Sequence, residues 1–174
     1  MTGSIDAAES SITARAGIAV ARVGVGLMWI QNSGWKTPPD FGEDRDDGLY
    51  AQTRLAVEHE VLAPWAWLVE HVVLPNFTFF AWATMLLEAS LGAFLLVGLA
   101  TRFWAVVGIG QSVVITLSVL NAPGEWHWSR FLMVLVHVLL FAVAAGRYHG
   151  LDALWRPLWR RSPGRAGRLL LRAS

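Results

Sequence analysis

Four stretches of this 174-residue chain read as spans of a bilayer, whose hydrocarbon layer of about 30 Å takes roughly 20 helical residues. That feature leaves few folds open. In lipid no water satisfies backbone N–H and C=O groups, so only helices and closed barrels span. These runs lack the period-2 alternation of barrel strands, so helices are expected. The spans are read as residues 12–32, 77–100, 103–121 and 126–146, with Thr101-Arg102 as one tight connection and Ala122-Pro123-Gly124-Glu125 as another. What remains is too short for a separate soluble core. The expectation is one membrane domain over 1–174: an all-α integral membrane protein, a four-transmembrane-helix bundle. Charged residues are only 16% of the chain, against about a quarter in soluble domains. The absence of cysteine excludes a disulfide partner, thiolate metal sites and Cys-ligated iron–sulfur clusters.

Charge sets the expected orientation. After Gly146 the chain holds seven arginines (Arg147, Arg156, Arg160, Arg161, Arg165, Arg168, Arg172) against Asp152, a net +6. Between Ser33 and Asn76 eight acids face Lys36, Arg45 and Arg54, a net −5. Arg102 lies in the connection on the same side as the tail. Basic residues accumulate on the cytoplasmic side, so both termini are expected inside and the acidic segment outside. Trp29, Trp35, Trp65, Trp67, Trp82, Trp126 and Trp128 near the outer ends, with Trp104, Trp155 and Trp159 near the inner ends, form aromatic belts in that frame. The start, Met1 to Ser11, carries Asp6 and Glu9 but no basic residue. It lacks the order of a secretory signal, so the first helix is expected to be retained.

The outer segment 33–76 divides in two. Thr37 to Gly48 is rich in Pro, Gly and Asp and reads as loop. Leu49 to Leu74 reads as an outer interfacial amphipathic helix between spans 1 and 2, interrupted by Pro64, with a re-entrant segment over Val61 to Leu74 as the alternative. The tail 147–174 reads as a basic cytoplasmic surface helix, holding anionic lipid headgroups at roughly 1 kcal/mol per residue. With a membrane anchor beside it, that charge points to membrane lipids and to no nucleic acid.

Polar side chains within spans are costly and mark sites by default. Arg22 lies ten residues before Asn32, Glu88 eleven after Phe77, Gln111 ten before Asn121 and His137 ten after His127. At about 1.5 Å per residue, all four fall 15–17 Å from the outer boundary, near the midplane. Arg22 and Glu88 form the expected ion pair, with His137 and Gln111 as hydrogen-bond partners. Small residues such as Gly17, Gly24, Gly26, Gly92 and Gly108 permit close helix approach there. A second polar layer at the outer mouth includes Trp35, Lys36 and Arg130, with Arg130 and His137 seven apart on one helix face. Two readings follow: a polar clasp that only locks the bundle, or a quinone-head and proton-relay site. In the second, Glu88, His137 and Arg22 are the candidate catalytic residues, and Gln111, Trp35, Lys36 and Arg130 contact the cofactor. Intrachain bis-His haem needs two facing histidines, and His137 alone sits well inside a span. No Gly-rich phosphate loop or HExxH pattern is present. A quinone is the cofactor expected, with no metal, haem or flavin within this chain.

Several short motifs occur in a recognisable order. Arg22 is followed by Gly24-Val25-Gly26-Leu27-Met28-Trp29 and then Gly34-Trp35-Lys36. Next comes Leu87-Glu88-Ala89-Ser90-Leu91-Gly92, continuing through Leu95-Leu96-Val97-Gly98-Leu99-Ala100-Thr101-Arg102. Trp126-His127-Trp128 opens the last span, and Gly146-Arg147-Tyr148-His149-Gly150-Leu151-Asp152-Ala153 closes it. Over about Arg15 to Arg160 the chain resembles the DoxX/DoxD family, which includes the small membrane subunit of thiosulfate:quinone oxidoreductase. The resemblance implies a four-helix protein of the bacterial cytoplasmic (inner) membrane, partnered by other subunits of a membrane redox complex. It also implies that Arg22, Lys36 and Glu88 match the family's polar positions. Two departures separate the chain from thiosulfate chemistry: its long acidic outer segment, and the lack of any cysteine for persulfide formation.

The function expected is therefore a DoxX-like membrane subunit of a quinone-linked oxidoreductase or electron-transfer complex, not catalytic alone. The alternative is a non-catalytic accessory or assembly subunit of a larger respiratory or photosynthetic complex. A small proton-coupled transporter is a third reading, but the inverted repeats and broken helices common in transporters are missing from the sequence.

Overall fold

Helix is the only regular structure among the described residues of the computed structural model, which cover 2–161 and 164–174. The side chains of residues 1–10, Asp6 and Glu9 included, lie outside that description. In chain order the helices are α1 (Thr2–Gly34), α2 (Leu49–Glu58), α3 (Ala63–Leu68), α4 (Phe77–Val97), α5 (Thr101–Val119), α6 (His127–Val143), α7 (Leu151–Arg161) and α8 (Arg165–Ala173). A π-helical turn (Val69–Val73) and a 3-10 turn (Leu74–Asn76) carry α3 into α4 without a break.

Three runs are long and apolar enough to cross a membrane: Ser11–Gly34, Ala63–Val97 and Thr101–Val119. The 17-residue α6 is also apolar but shorter. The burial pattern is inverted relative to a soluble protein. Leu27, Met28, Leu86, Phe131, Leu135 and Leu139 are exposed, while Arg22, Lys36, Glu88, Gln111, His137 and Asp152 are buried. Large apolar side chains facing outward need a lipid environment, and this is a multi-pass membrane protein.

The outer segment differs from its sequence reading. The amphipathic helix ends at Glu58, and Pro64 opens α3 instead of interrupting a helix. Proline suits a first helical turn because its missing N–H has no intrahelical partner there. Residues 63–97 then form one helical run of 35 residues, so α4, which opens at Phe77, continues a run that starts earlier. The loop before α2 is anchored by an apolar residue: Phe41 is buried with Phe77 and Ala81, and Leu49, Tyr50 and Met85 pack around them. Phe41 meets Trp82 edge-on at 5.3 Å, and Tyr50 meets Phe77 likewise at 5.0 Å.

Two compact units divide the contacts. One comprises Met1–Met28, Leu91–Val107 and His137–Ser174; the other comprises Trp29–Ser90 and Gly108–Val136. In the first, the guanidinium of Arg22 donates to the carbonyls of Leu95, of Leu96 (2.7 Å) and of His149 (3.3 Å). It thereby adds a charged donor to the last turn of α4, where the Leu95 carbonyl also accepts from the Gly98 N–H at 3.2 Å. Asp152, fully buried, accepts from the N–H groups of Ala100 (2.7 Å) and Thr101 (3.0 Å) at the start of α5. A carboxylate at a helix N-terminus also meets the positive end of the helix dipole. Gly98 sits between these groups at φ +68, and a Cβ there would come within 2.7 Å of the Arg22 guanidinium and 2.8 Å of the Gly150 Cα. Only glycine fits that position. Buried His137 belongs to this unit.

Candidate functional site

The second unit contains a buried carboxylate with a full set of donors. Glu88, 1% exposed, lies on α4. Its Oε2 accepts from Lys36 Nζ at 2.5 Å and from Asn32 Nδ2 at 3.1 Å, and its Oε1 accepts from Gln111 Nε2 at 3.0 Å. Three helical segments build this arrangement: the end of α1, α4 and α5. Lys36 lies two residues beyond α1, and its side chain folds back so that Nζ also donates to the Asn32 carbonyl at 2.7 Å. The same ammonium stands 4.6 Å from the centre of the Trp35 ring, a cation–π contact that strengthens where water is excluded. Burial lowers the pKa of Lys36, while the charge of Glu88 and its hydrogen bond pull it back up. The pair is worth forming because either ion alone would be strongly penalised in so dry a place.

These groups face a cavity of about 400 Å³, within the roughly 300–1,000 Å³ of small-molecule sites. Its polar side carries Asn32, Lys36, Glu88, Gln111 and Arg130; Trp65, Leu68, Val73, Phe80 and Ile115 are among its apolar lining. Arg130 is held by Glu125, donating to one carboxylate oxygen from Nη2 at 2.6 Å and Nε at 2.9 Å. On another wall, Trp65 Nε1 donates to Ser118 Oγ at 3.1 Å. The chemistry offered is a fixed positive charge beside a fixed carboxylate, amide dipoles, and an apolar chamber: a fit for a flat amphiphile with a polar head.

Five residues singled out in the sequence line this one cavity: Trp35, Lys36, Glu88, Gln111 and Arg130. Arg22 and His137 are not in its lining. The pairing also differs from expectation, because the base opposite Glu88 is Lys36, and Arg22 is engaged with the α4 carbonyls of the first unit. Asn32 marked the outer end of the first span on sequence, and the structure makes it a direct partner of Glu88. Gln52, Thr53 and Thr84 also line the cavity and were not singled out. Thr84 is four residues before Glu88 and so shares its helix face, a spacing that could have found it. Among the described residues no group of three or more His, Asp and Glu is placed to hold a metal ion.

Compared with known proteins, residues 49–121 match the DoxX family model. This stretch runs from α2 through α5 and includes Glu88 and Gln111, but is narrower than the sequence resemblance and leaves out Arg22, Lys36 and His137. No curated protein and no solved structure matches the chain.

Proposed function

We propose that this chain, whose residues 49–121 match the DoxX family model, is a DoxX-family membrane protein that serves as a quinone-binding subunit of an oxidoreductase or electron-transfer complex. The observation that carries this reading is the buried Lys36–Glu88–Gln111 cluster opening on a chamber with apolar walls. A quinone, when bound, supplies two-electron, two-proton redox chemistry; the electrons come from a partner subunit with its own redox centre. The residues of this chain do the positioning. Lys36 and Gln111 offer N–H donors to a carbonyl oxygen, and Trp35, Trp65 and Phe80 offer flat apolar surface to a ring. Burial makes the Lys36 ammonium a readier proton donor than a solvated lysine, and Glu88 holds it in place. In this reading α6 is the fourth span, since 17 residues reach about 26 Å at 1.5 Å per residue. Both termini lie in the cytoplasm of a bacterial inner-membrane protein, and the acidic segment lies outside.

The test is direct binding of a short-chain quinone to the purified chain, followed by quenching of tryptophan fluorescence. Lys36→Met removes a charged donor, a contact of about 1.5–3 kcal/mol, and is expected to weaken binding tenfold or more. Glu88→Gln is expected to weaken it as well, by freeing the ammonium from its position. In a reconstituted complex the same variants should slow quinone reduction. Unchanged binding in both, with normal yield of complex, would reduce the cluster to a clasp and favour a non-catalytic accessory or assembly subunit.

A further inference from the structure

The arginines of the tail fall into two sets. Arg147 and Arg156 are turned to the chain itself: Arg147 Nη2 donates to the Ser174 carbonyl at 3.0 Å, and Arg156 Nη1 donates to the carbonyls of Leu171 (2.9 Å) and Ser174 (3.0 Å). Arg156 ties the end of α8 back onto α7, and Arg147 ties it to the 3-10 turn Ala145–Arg147 that precedes α7. Arg160, Arg161, Arg165, Arg168 and Arg172 are exposed and, among the described residues, have no such bond to the end of α8; Arg147 is exposed as well, and Arg156 is half-buried. On α8, Arg165, Arg168, Leu169 and Arg172 follow at i, i+3, i+4 and i+7, which places them along one helix face. Leu169 is 65% exposed, and Leu154 and Leu158, one turn apart on α7, are exposed to a similar degree.

The place of this helix pair is set by Asp152. Its N–H donates to the Gly98 carbonyl at 2.9 Å, and its carboxylate accepts from Ala100 and Thr101. The start of α7 is therefore pinned to the connection between Ala63–Val97 and Thr101–Val119, two runs able to cross the membrane. A connection between two spans lies at a membrane face, so α7 begins where hydrocarbon gives way to headgroups.

We propose that α7 and α8 form a docking surface for anionic phospholipid headgroups, with Arg160, Arg161, Arg165, Arg168 and Arg172 meeting phosphate and Leu154, Leu158 and Leu169 entering the acyl boundary. Exposed leucines interleaved with arginines are what an interfacial helix requires: the apolar side chains hold depth, and the cations select negative lipid. A soluble acidic partner would account for the arginines and leave the leucines in water. Arg156 holds the two helices together through its bonds to the end of α8.

The chain has no cysteine, so Leu169→Cys carries a single fluorescent label. The full chain is placed in nanodiscs of phosphatidylcholine with or without phosphatidylglycerol. Adding phosphatidylglycerol should shift label emission to the blue and protect it from iodide quenching, and high salt should reverse both changes. The triple change Arg165→Gln, Arg168→Gln and Arg172→Gln should abolish the shift without lowering the melting temperature. A label equally protected in both lipids would overturn the headgroup selectivity. A label in water in both would overturn the surface itself and leave this face to a protein partner.

Discussion

Lys36 and Glu88 offer a quantitative test, because their side chains are 3% and 1% exposed and neither has water to fall back on. Lys36→Met keeps the stem and removes the charge. Glu88 then retains only the neutral donors Asn32 (3.1 Å) and Gln111 (3.0 Å). Removing one partner of a buried pair costs about 3–5 kcal/mol, which multiplies the unfolding constant by a hundred to a few thousand at about 1.4 kcal/mol per factor of ten. Glu88→Gln leaves the ammonium with the Asn32 carbonyl and the Trp35 ring, and a cost of similar size is expected. The double change Lys36→Met with Glu88→Leu removes both desolvation penalties. Apolar replacement of a whole buried pair is often neutral or stabilising by about 1–4 kcal/mol. The double variant should therefore be at least about 2 kcal/mol more stable than either single one, a large coupling between neighbours. The assay is equilibrium unfolding of the purified chain in mixed micelles titrated with a denaturing detergent. Single costs that simply add in the double variant would refute the claim that each charge is there to compensate the other.

Other expectations concern the frame and the first unit. Single-cysteine labelling with an impermeant reagent should reach Asp46→Cys in intact cells and Arg165→Cys only after permeabilisation; the reverse pattern would invert the topology. Asp152→Ala should lower stability by about 1.5–3 kcal/mol, because two buried N–H groups lose a charged acceptor; an unchanged melting temperature would show that the cap is dispensable. Gly26→Ala places a Cβ 2.9 Å from Leu96 N and 3.0 Å from Gly92 O. Overpacking of that kind costs about 1–3 kcal/mol, visible as a fall in thermal melting in detergent.

The lengths and apolarity of the runs were enough to give the first and third spans closely, because a bilayer imposes one solvent on every residue at a given depth. Ser11–Gly34 and Thr101–Val119 lie close to their sequence readings for that reason. The same pressure exposed the buried polar residues, since few charged side chains persist in hydrocarbon without a partner. Glu88 and Gln111 were legible in this way, whereas Lys36 stood in the outer polar layer, beyond the first span. Their pairing was not. Counting residues from a boundary gives position along a helix axis, and it presumes that the boundary is known. The helix carrying Glu88 opens at Phe77, but the apolar helical run continues back to Ala63, so Phe77 alone does not set the depth of Glu88.

Axial counting also treats each side chain as a point at its Cα. Lys36 lies past the end of α1, yet its flexible stem returns to the Asn32 carbonyl and to Glu88. Arg22 was placed beside Glu88 by depth alone, whereas the azimuth of α1 and the return of the chain at His149 brought its guanidinium to the carbonyls of α4. Sequence by itself determined that this chain spans a membrane, that buried charge must be compensated, and which few residues carry it. Tertiary structure alone decided who compensates whom, because that depends on rotation about each helix axis and on side-chain reach, neither of which apolar patterning encodes.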